Sequence, residues 1–542
     1  MSKIANYLNE HILGEITGAK AVRERFSRDG SVLSIKPELV IFPRVTNDIR
    51  KAARFSWQLA EKGHVLPLTV RGAGSDPNGA AIGKGLIINT TAHLNNIIYI
   101  ALKDKDHFIH VQPGVSFKAL NDALNWHGLS VPTFPSTAAY STVGGAVASN
   151  TGGQFSGKAG LTGDWVKRLE VVLANGDLIE TSRLRKHDFN KKIGLQTFEG
   201  EIYRKLDGLI EDNQALINDK LSADNVDNTG YARIAQVKHR DGSFDLTPLM
   251  VGSQGTLGII SEIVLRTDYV SKETAALAAV VVSTEAARDA ADALRSLDPD
   301  ALETIDGVLF DQARARGKTY PFFSSTNSDD AIGAVIYVQF NDFNDHARER
   351  KLKKAAKILS KFNAIVINSD DYSMDELSAI REVTTSIYTS DTGDDSYPPL
   401  LDGAYVPADR REEFSASISE LAYKHHVTLP LHVRILDGIV FTRPALQLDK
   451  VGDKQKVFKL ISEYSQLVEK CGGTFLADSS EGRLKANAAY ALLDEDLQHL
   501  YEQIRAIFDP FGTMNPGVKQ QSDTKSLVEA LRSSYDSADF LV

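Results

Sequence analysis

Glycine is placed very unevenly along this chain of 542 residues: of its 39 glycines, five fall within residues 72–85 and seven more within residues 144–163. Glycine tolerates positive φ and lets backbone approach a ligand or another backbone closely, so such clusters mark tight loops or binding surfaces. Flexible surface loops would sit in polar, low-complexity sequence, and these clusters do not. The first follows the apolar run of residues 64–70 and precedes Gly85-Leu-Ile-Ile-Asn89, a pattern of strand, glycine loop, strand. A dinucleotide fingerprint needs a third glycine opening a helix, but Pro77 stands at that spacing and no helical periodicity begins. A Walker loop also fails, because Gly83-Lys84-Gly85 has neither the spacing nor a hydroxyl after the lysine. What remains is a nest of backbone N–H groups with Arg71 beside it, suited to an anion such as a pyrophosphate.

Further along, residues 108–114 read as a strand ending in a turn. Ser116 is placed to cap a helix on which Phe117, Leu120 and Leu124 share one face. Small residues then dominate from Ser141 to Gly153. Residues 166–174 and 177–181 read as strands joined by a type I′ turn at Asn175-Gly176, and residues 249–260 form a third glycine-rich loop leading into a strand. From about Lys272 the pattern changes to strands at 275–283, 331–340, 364–367 and 404–407. They alternate with helices at 285–297, 348–361, 374–388 and 411–425, which implies a second, α/β or α+β domain over one sheet. A last helix is expected at 494–508, and the polar tail from Lys519 is expected to be peripheral.

Composition excludes several classes. Hydrophobic residues at 42% and charged residues at 24% describe a soluble globular chain, expected in the cytoplasm or peripheral to a membrane. A net charge of −10 without a Lys/Arg block argues against nucleic acid as a partner. A single cysteine, Cys471, excludes an internal disulfide and a cysteine-ligated cluster. Residues 1–10 lack a basic region followed by an apolar stretch, and the longest apolar runs are too short to span a bilayer. Neither a secretory leader nor an integral membrane segment is expected.

In their order and spacing these loops resemble the FAD domain of the vanillyl-alcohol-oxidase/p-cresol-methylhydroxylase type. Within it, they resemble the D-lactate dehydrogenase and glycolate oxidase flavoprotein family. The landmarks are Ser27-Arg-Asp-Gly-Ser31, Phe42-Pro-Arg44, the Arg71 loop, Val111-Gln-Pro-Gly114, Pro135-Ser136, Thr142-Val-Gly-Gly145, Gly252-Ser-Gln-Gly-Thr-Leu-Gly258 and Asp509-Pro-Phe-Gly-Thr-Met-Asn-Pro-Gly517. The resemblance implies an α+β fold: a two-subdomain FAD domain (36–270), an α+β substrate cap (271–480) and a return to the FAD domain (481–518), between a helical segment (1–35) and a tail (519–542). It also implies FAD contacts at Arg71, Gly72, Ala73, Gly74, Ser75, Pro135, Ser136, Thr142, Gly145, Ser149 and Ile260. Relatives with covalent flavin place a histidine where this chain has Ser75, so the FAD is expected to be non-covalent. Asp76-Pro77 departs from the small or polar residues usual there.

Metal-dependent relatives carry G-H-x-G-D-G-x-x-H-x-R-P and G-E-H-G-x-G-R. Here Asp437-Gly438 and Arg443-Pro444 align with the first block, which puts its metal-binding histidines on Arg434 and Phe441. The second block falls on Ala477-Asp-Ser-Ser-Glu-Gly-Arg483, with Asp478 at the acidic ligand and Ser479 at the histidine that is the usual general base. Guanidinium and phenyl groups do not ligate metals, so no metal site is expected. Arg434 then places fixed positive charge where a cation would sit, either to hold a substrate carboxylate or the developing negative charge on a flavin or alkoxide, or to pair with a structural carboxylate. His432 is the imidazole nearest the missing base, and Arg381 occupies the family's Ile-Arg-Glu motif on a cap helix. The implied function is hydride transfer from a small, anionic 2-hydroxy acid to FAD without a metal. Oxidation of another alcohol, or an FAD-binding subunit with little turnover, are the alternatives. The fused iron–sulfur module of some relatives is not expected, so electrons would leave to oxygen, a quinone or a redox protein.

Overall fold

The strands Leu68–Arg71 and Leu86–Asn89, on either side of the first glycine loop, lie parallel, with Arg71 opposite Asn89. Leu39–Phe42 extends this sheet in parallel and Glu15–Thr17 closes it antiparallel. Parallel neighbours require a crossover. From Leu39–Phe42 to Leu68–Arg71, which lie on either side of Leu86–Asn89, the chain crosses over through the helix Thr46–Ala60, whose Ile49, Ala52 and Ala53 pack on Leu39, Ile41 and Leu86. Between Leu68–Arg71 and Leu86–Asn89 the crossover is the glycine loop itself. The computed structural model describes residues 3–103, 106–221, 227–324, 332–369, 371–384 and 395–536.

A second, antiparallel sheet runs Ile97–Ala101, Phe108–Val111, Ile259–Arg266, Val166–Val172, Leu178–Thr181. Its central strand leaves the third glycine loop directly. Ser116 caps the helix Phe117–Asn125 by accepting from Ala119 N–H, and Phe117, Leu120 and Leu124 are buried. The connection at Asn175-Gly176 differs from the expected type I′ turn, which needs positive φ at both residues. Only Gly176 has it, at φ 83°. Asn175 instead stays at negative φ while its side-chain oxygen accepts from Asp177 N–H, and Leu173 N–H reaches Asp177 O. This is the longer hairpin in which glycine takes the left-handed position. Val172, Ala174 and Ile259 pack against Leu39, Ile41 and Leu68, which joins the two sheets.

The cap is one seven-stranded antiparallel sheet, ordered Ile365–Asn368, Ala275–Val281, Ala334–Phe340, Ala301–Asp306, His432–Arg434, Ile439–Phe441, Ala404–Tyr405. The helices Thr284–Arg295 and Asp345–Leu359 cover one face through Ala287, Ala290, Leu294, Leu352 and Ala355, packed on Leu277, Ile336 and Val338. The other face carries the polar residues discussed below. The cap helix expected at 374–388 is described as Met374–Arg381; residues 385–388 lie outside the described residues. Mixed helices and sheets give the α+β fold that the sequence implies.

Asn515 fastens the C-terminal return. Its Nδ2 donates to Ala80 O and Gln254 O, and its Oδ1 accepts from Thr69 Oγ1 and Arg483 Nη2. The tail beyond it is not peripheral, contrary to expectation. Lys519 is buried against Glu481, Leu531 bridges Leu33, Arg532 N–H donates to Val32 O, and Tyr535 Oη donates to Gly30 O. Its polar, mixed-charge composition suggested solvent, but its leucines and backbone groups find partners in residues 30–33. No helix among the described residues is long and apolar enough to cross a membrane.

Candidate active site

Gly74, at φ 81°, turns the first glycine loop around the Arg71 guanidinium, and a Cβ there would collide with it. Arg71, expected at the diphosphate, is not among the residues that line the cavity described below. Its Nη1 donates to Arg28 O (2.5 Å), its guanidinium stacks over Phe26, and the Asp29 carboxyl lies close enough to couple with it electrostatically. Arg71 therefore holds the loop from behind. Gly72 meets the second cluster, because any Cβ on it would collide with Thr142 Oγ1, the atom that caps the helix Val143–Ser149.

The remaining residues assigned to FAD fall on a single wall. Gly72, Ala73, Gly74, Ser75, Pro135, Ser136, Thr142, Gly145, Ser149 and Ile260 line one cavity, and Arg381, Arg434 and His432 line the same cavity. Several polar atoms of the residues lining this cavity are buried without a hydrogen-bond partner among the described residues: Asp76 Oδ1, Ser141 Oγ and Gln254 Nε2 beside the glycine loops, and Asp402 Oδ1 and His432 Nδ1 on the cap side. Orphaned buried polar atoms are rare in native proteins, and a group of them around one cavity marks a surface completed by a ligand. Glycine backbone and unmet donors and acceptors fit a large polar cofactor such as FAD. Asp76 Oδ2 accepts from Asn78 and Ala80 N–H, while burial and the neighbouring Asp29 push its carboxyl up to about 7.

The cap side of the cavity is a lattice of ion pairs. Arg434 Nη1 donates to Gly153 O (2.7 Å), and its Nη2 lies 2.5 Å from Asp478 Oδ1 and 2.9 Å from Asp437 Oδ2. Burial works against its charge, but the two carboxylates outweigh burial and leave its pKa raised. Arg381 donates through Nε (3.0 Å) and Nη2 to Glu303 Oε1 and through Nη1 to Gln154 Oε1. His432 Nε2 lies 2.9 Å from the other Glu303 oxygen. Strand pairing sets this up: Glu303 sits opposite Arg434, and Ile305 opposite His432, so all three polar side chains share one sheet face. Burial alone would push the Glu303 carboxyl up, but Arg381 and His432 lower it to about 2. The positions of the metal pattern, Arg434, Phe441, Asp478 and Ser479, meet on this wall. Among the described residues no group of three or more His, Cys, Asp or Glu could hold a metal.

Glu303 is the residue that sequence reasoning passed over. Its strand is weakly marked in the sequence: Ala301-Leu-Glu-Thr-Ile-Asp306 follows a turn at Asp298-Pro299-Asp300 but does not alternate apolar and polar residues. Its function is not marked at all, since nothing in the sequence says that Glu303 lies opposite Arg434, 131 positions later.

Two families match the chain in succession: the FAD binding domain over residues 37–182 and the C-terminal domain of FAD linked oxidases over residues 271–518. The D-2-hydroxyglutarate dehydrogenase of Haemophilus influenzae is 24% identical over 558 residues, covering 98% of this chain and 54% of that protein. The glycolate oxidase subunit GlcD of Bacillus subtilis is 24% identical over 503 residues, covering 92% of each. The chain spans about half the length of the D-2-hydroxyglutarate dehydrogenases it matches. Among solved structures, p-cresol methylhydroxylase with substrate bound superposes with a TM-score of 0.66 at 11% identity, covering 93% of each chain.

Proposed function

Since the chain belongs to the FAD-linked oxidases, an FAD binding domain followed by their C-terminal domain, we propose that it oxidises a small 2-hydroxy acid using non-covalent FAD and no divalent metal. The observation that carries this reading is the shared cavity, with glycine loops on one side and Arg381, His432 and Arg434 on the other. FAD, when bound, accepts the hydride equivalent lost by the substrate carbon. The glycine loops hold the cofactor, and Ser75 stands where a linking histidine would be. Arg381 and Arg434 put positive charge on the substrate side, which suits a carboxylate, and Gln154 and Gly153 fix their orientation. Oxygen, a quinone or a redox protein takes the electrons onward.

A second reading, oxidation of an uncharged alcohol, is favoured by one feature: Arg434 and Arg381 already face Asp478 and Glu303. Anaerobic mixing of the FAD-loaded protein with D-lactate, glycolate, D-2-hydroxyglutarate and a set of neutral alcohols separates the two. Flavin bleaching by a 2-hydroxy acid supports the first reading, and bleaching by neutral alcohols alone supports the second. No bleaching at all would leave an FAD-binding subunit without turnover.

A further inference from the structure

Resting on the reading of this cavity as the site of a hydroxyl oxidation, we propose that His432 takes the substrate's hydroxyl proton on Nδ1, with Glu303 as the positioning residue behind it. Three observations converge. Glu303 is held ionised by Arg381, so it only accepts, and the Nε2 that lies 2.9 Å from it carries the ring hydrogen. In the neutral ring the lone pair is then on Nδ1, the atom with no hydrogen-bond partner among the described residues. His432 lines the cavity, so a bound ligand is placed to bring the donor that Nδ1 lacks.

The other groups on this wall serve less well. Ser479, where relatives carry the histidine base, is a hydroxyl that accepts from Asn78 Nδ2, and it has no basic nitrogen. Arg381 and Arg434 stay protonated. Asp478 is committed to Arg434, and Asp402 gives one oxygen to Arg443. In the proposed step the substrate O–H bond breaks and an N–H bond forms at Nδ1. The electron pair left on oxygen becomes the second bond of the carbonyl, while the carbon's hydrogen and its electron pair pass to the cofactor. The imidazolium formed lies against the Glu303 carboxylate, which stabilises it. Arg381 keeps that carboxylate charged and aimed.

The test has two independent parts. Nitrogen-15 NMR of histidine-labelled, FAD-loaded wild-type protein reads the ring directly. A hydrogen on Nε2 and a bare Nδ1 are expected for His432, and a hydrogen on Nδ1 would overturn the proposal without any assay of turnover. The second part is single-turnover flavin reduction in His432→Ala, by whichever substrate bleaches the wild type. We expect a slowing of about 100-fold or more, partial recovery on adding imidazole, and unchanged FAD content and affinity for oxalate, a redox-inert dianion. Wild-type rates in His432→Ala, or a slowed variant that imidazole leaves unrecovered while Asp402→Asn abolishes reduction, would overturn it. If no hydroxyl substrate reduces the wild-type flavin, the oxidation reading fails and the proton step fails with it. That result is distinct from a reactive wild type whose His432→Ala variant is equally reactive.

Discussion

Arg434 Nη2 and Asp478 Oδ1 lie 2.5 Å apart, bringing together cap residues 44 positions distant in sequence. These are the two positions at which the metal-binding pattern of relatives would place a histidine and an acid. Here a guanidinium and a carboxylate neutralise one another, with Asp437 as a second acceptor. The pair also faces the cavity, so its contribution to folding and its contribution to substrate binding must be separated by experiment.

Arg434→Met keeps much of the apolar stem and removes the charge. The Asp478 and Asp437 carboxyls would then face each other uncompensated, and because both are only partly buried the cost is about 3 kcal/mol, the low end for a broken buried pair. Burial already raises the Asp478 pKa against the pull of Arg434, so its protonation relieves the repulsion in acid. The loss of melting temperature should be larger near pH 7.5 than near pH 5. An unchanged melting temperature with slower flavin reduction would instead place Arg434 in substrate binding.

Chelators should leave flavin reduction unchanged, and purified protein should hold no stoichiometric zinc or manganese. The reasons are Phe441 and Ser479 at two ligand positions and an arginine at a third. Zinc that is lost together with activity on dialysis against a chelator would contradict the pairing of Arg434 with Asp478.

Residues that act through backbone and local pattern were legible before the fold was known. The glycine loops, the Ser116 cap and the helix 411–425 depend on neighbours within a few positions, and they fall where the pattern put them. Arg71 was legible as part of the loop but not in its direction. Its partners are Arg28 O, from a segment 43 positions earlier, and Ala81 O, from the far end of its own loop, and only the fold brings the first of them to it. The tail was misread for a similar reason, since the hydrogen bond of Tyr535 to Gly30 spans 505 positions. Glu303 combines both difficulties: an unremarked short strand, and two partners on distant elements.

The flavin should come off on denaturation. With Ser75 at the position of a linking histidine, acid or heat should release all of the FAD into solution. Flavin fluorescence that stays with precipitated protein would show a covalent link through another residue.

Asp76→Asn should stabilise the protein and tighten FAD binding, and both gains should grow with pH. Asp76 lines the cavity beside the first glycine loop, with Oδ2 accepting from Asn78 and Ala80 N–H and Oδ1 without a hydrogen-bond partner among the described residues. Burial first, and then Asp29, raise its pKa from 3.8 to about 7. An acid whose folded pKa is raised holds its proton longer in the folded state. The wild type therefore loses stability as pH climbs from the unfolded value of 3.8 through about 7, and carries the full cost above that. Asparagine has no proton to lose, and its amide oxygen can take over both backbone donors. Its NH₂ group would then replace a negative oxygen on a wall expected to face a diphosphate. The melting-temperature gap between variant and wild type should widen from about pH 5.5 to about pH 8, and the FAD dissociation constant should fall about threefold or more at the higher pH only. A gap that stays constant over this range would mean that Asp76 is ionised throughout, with its charge compensated by a group other than the two backbone donors.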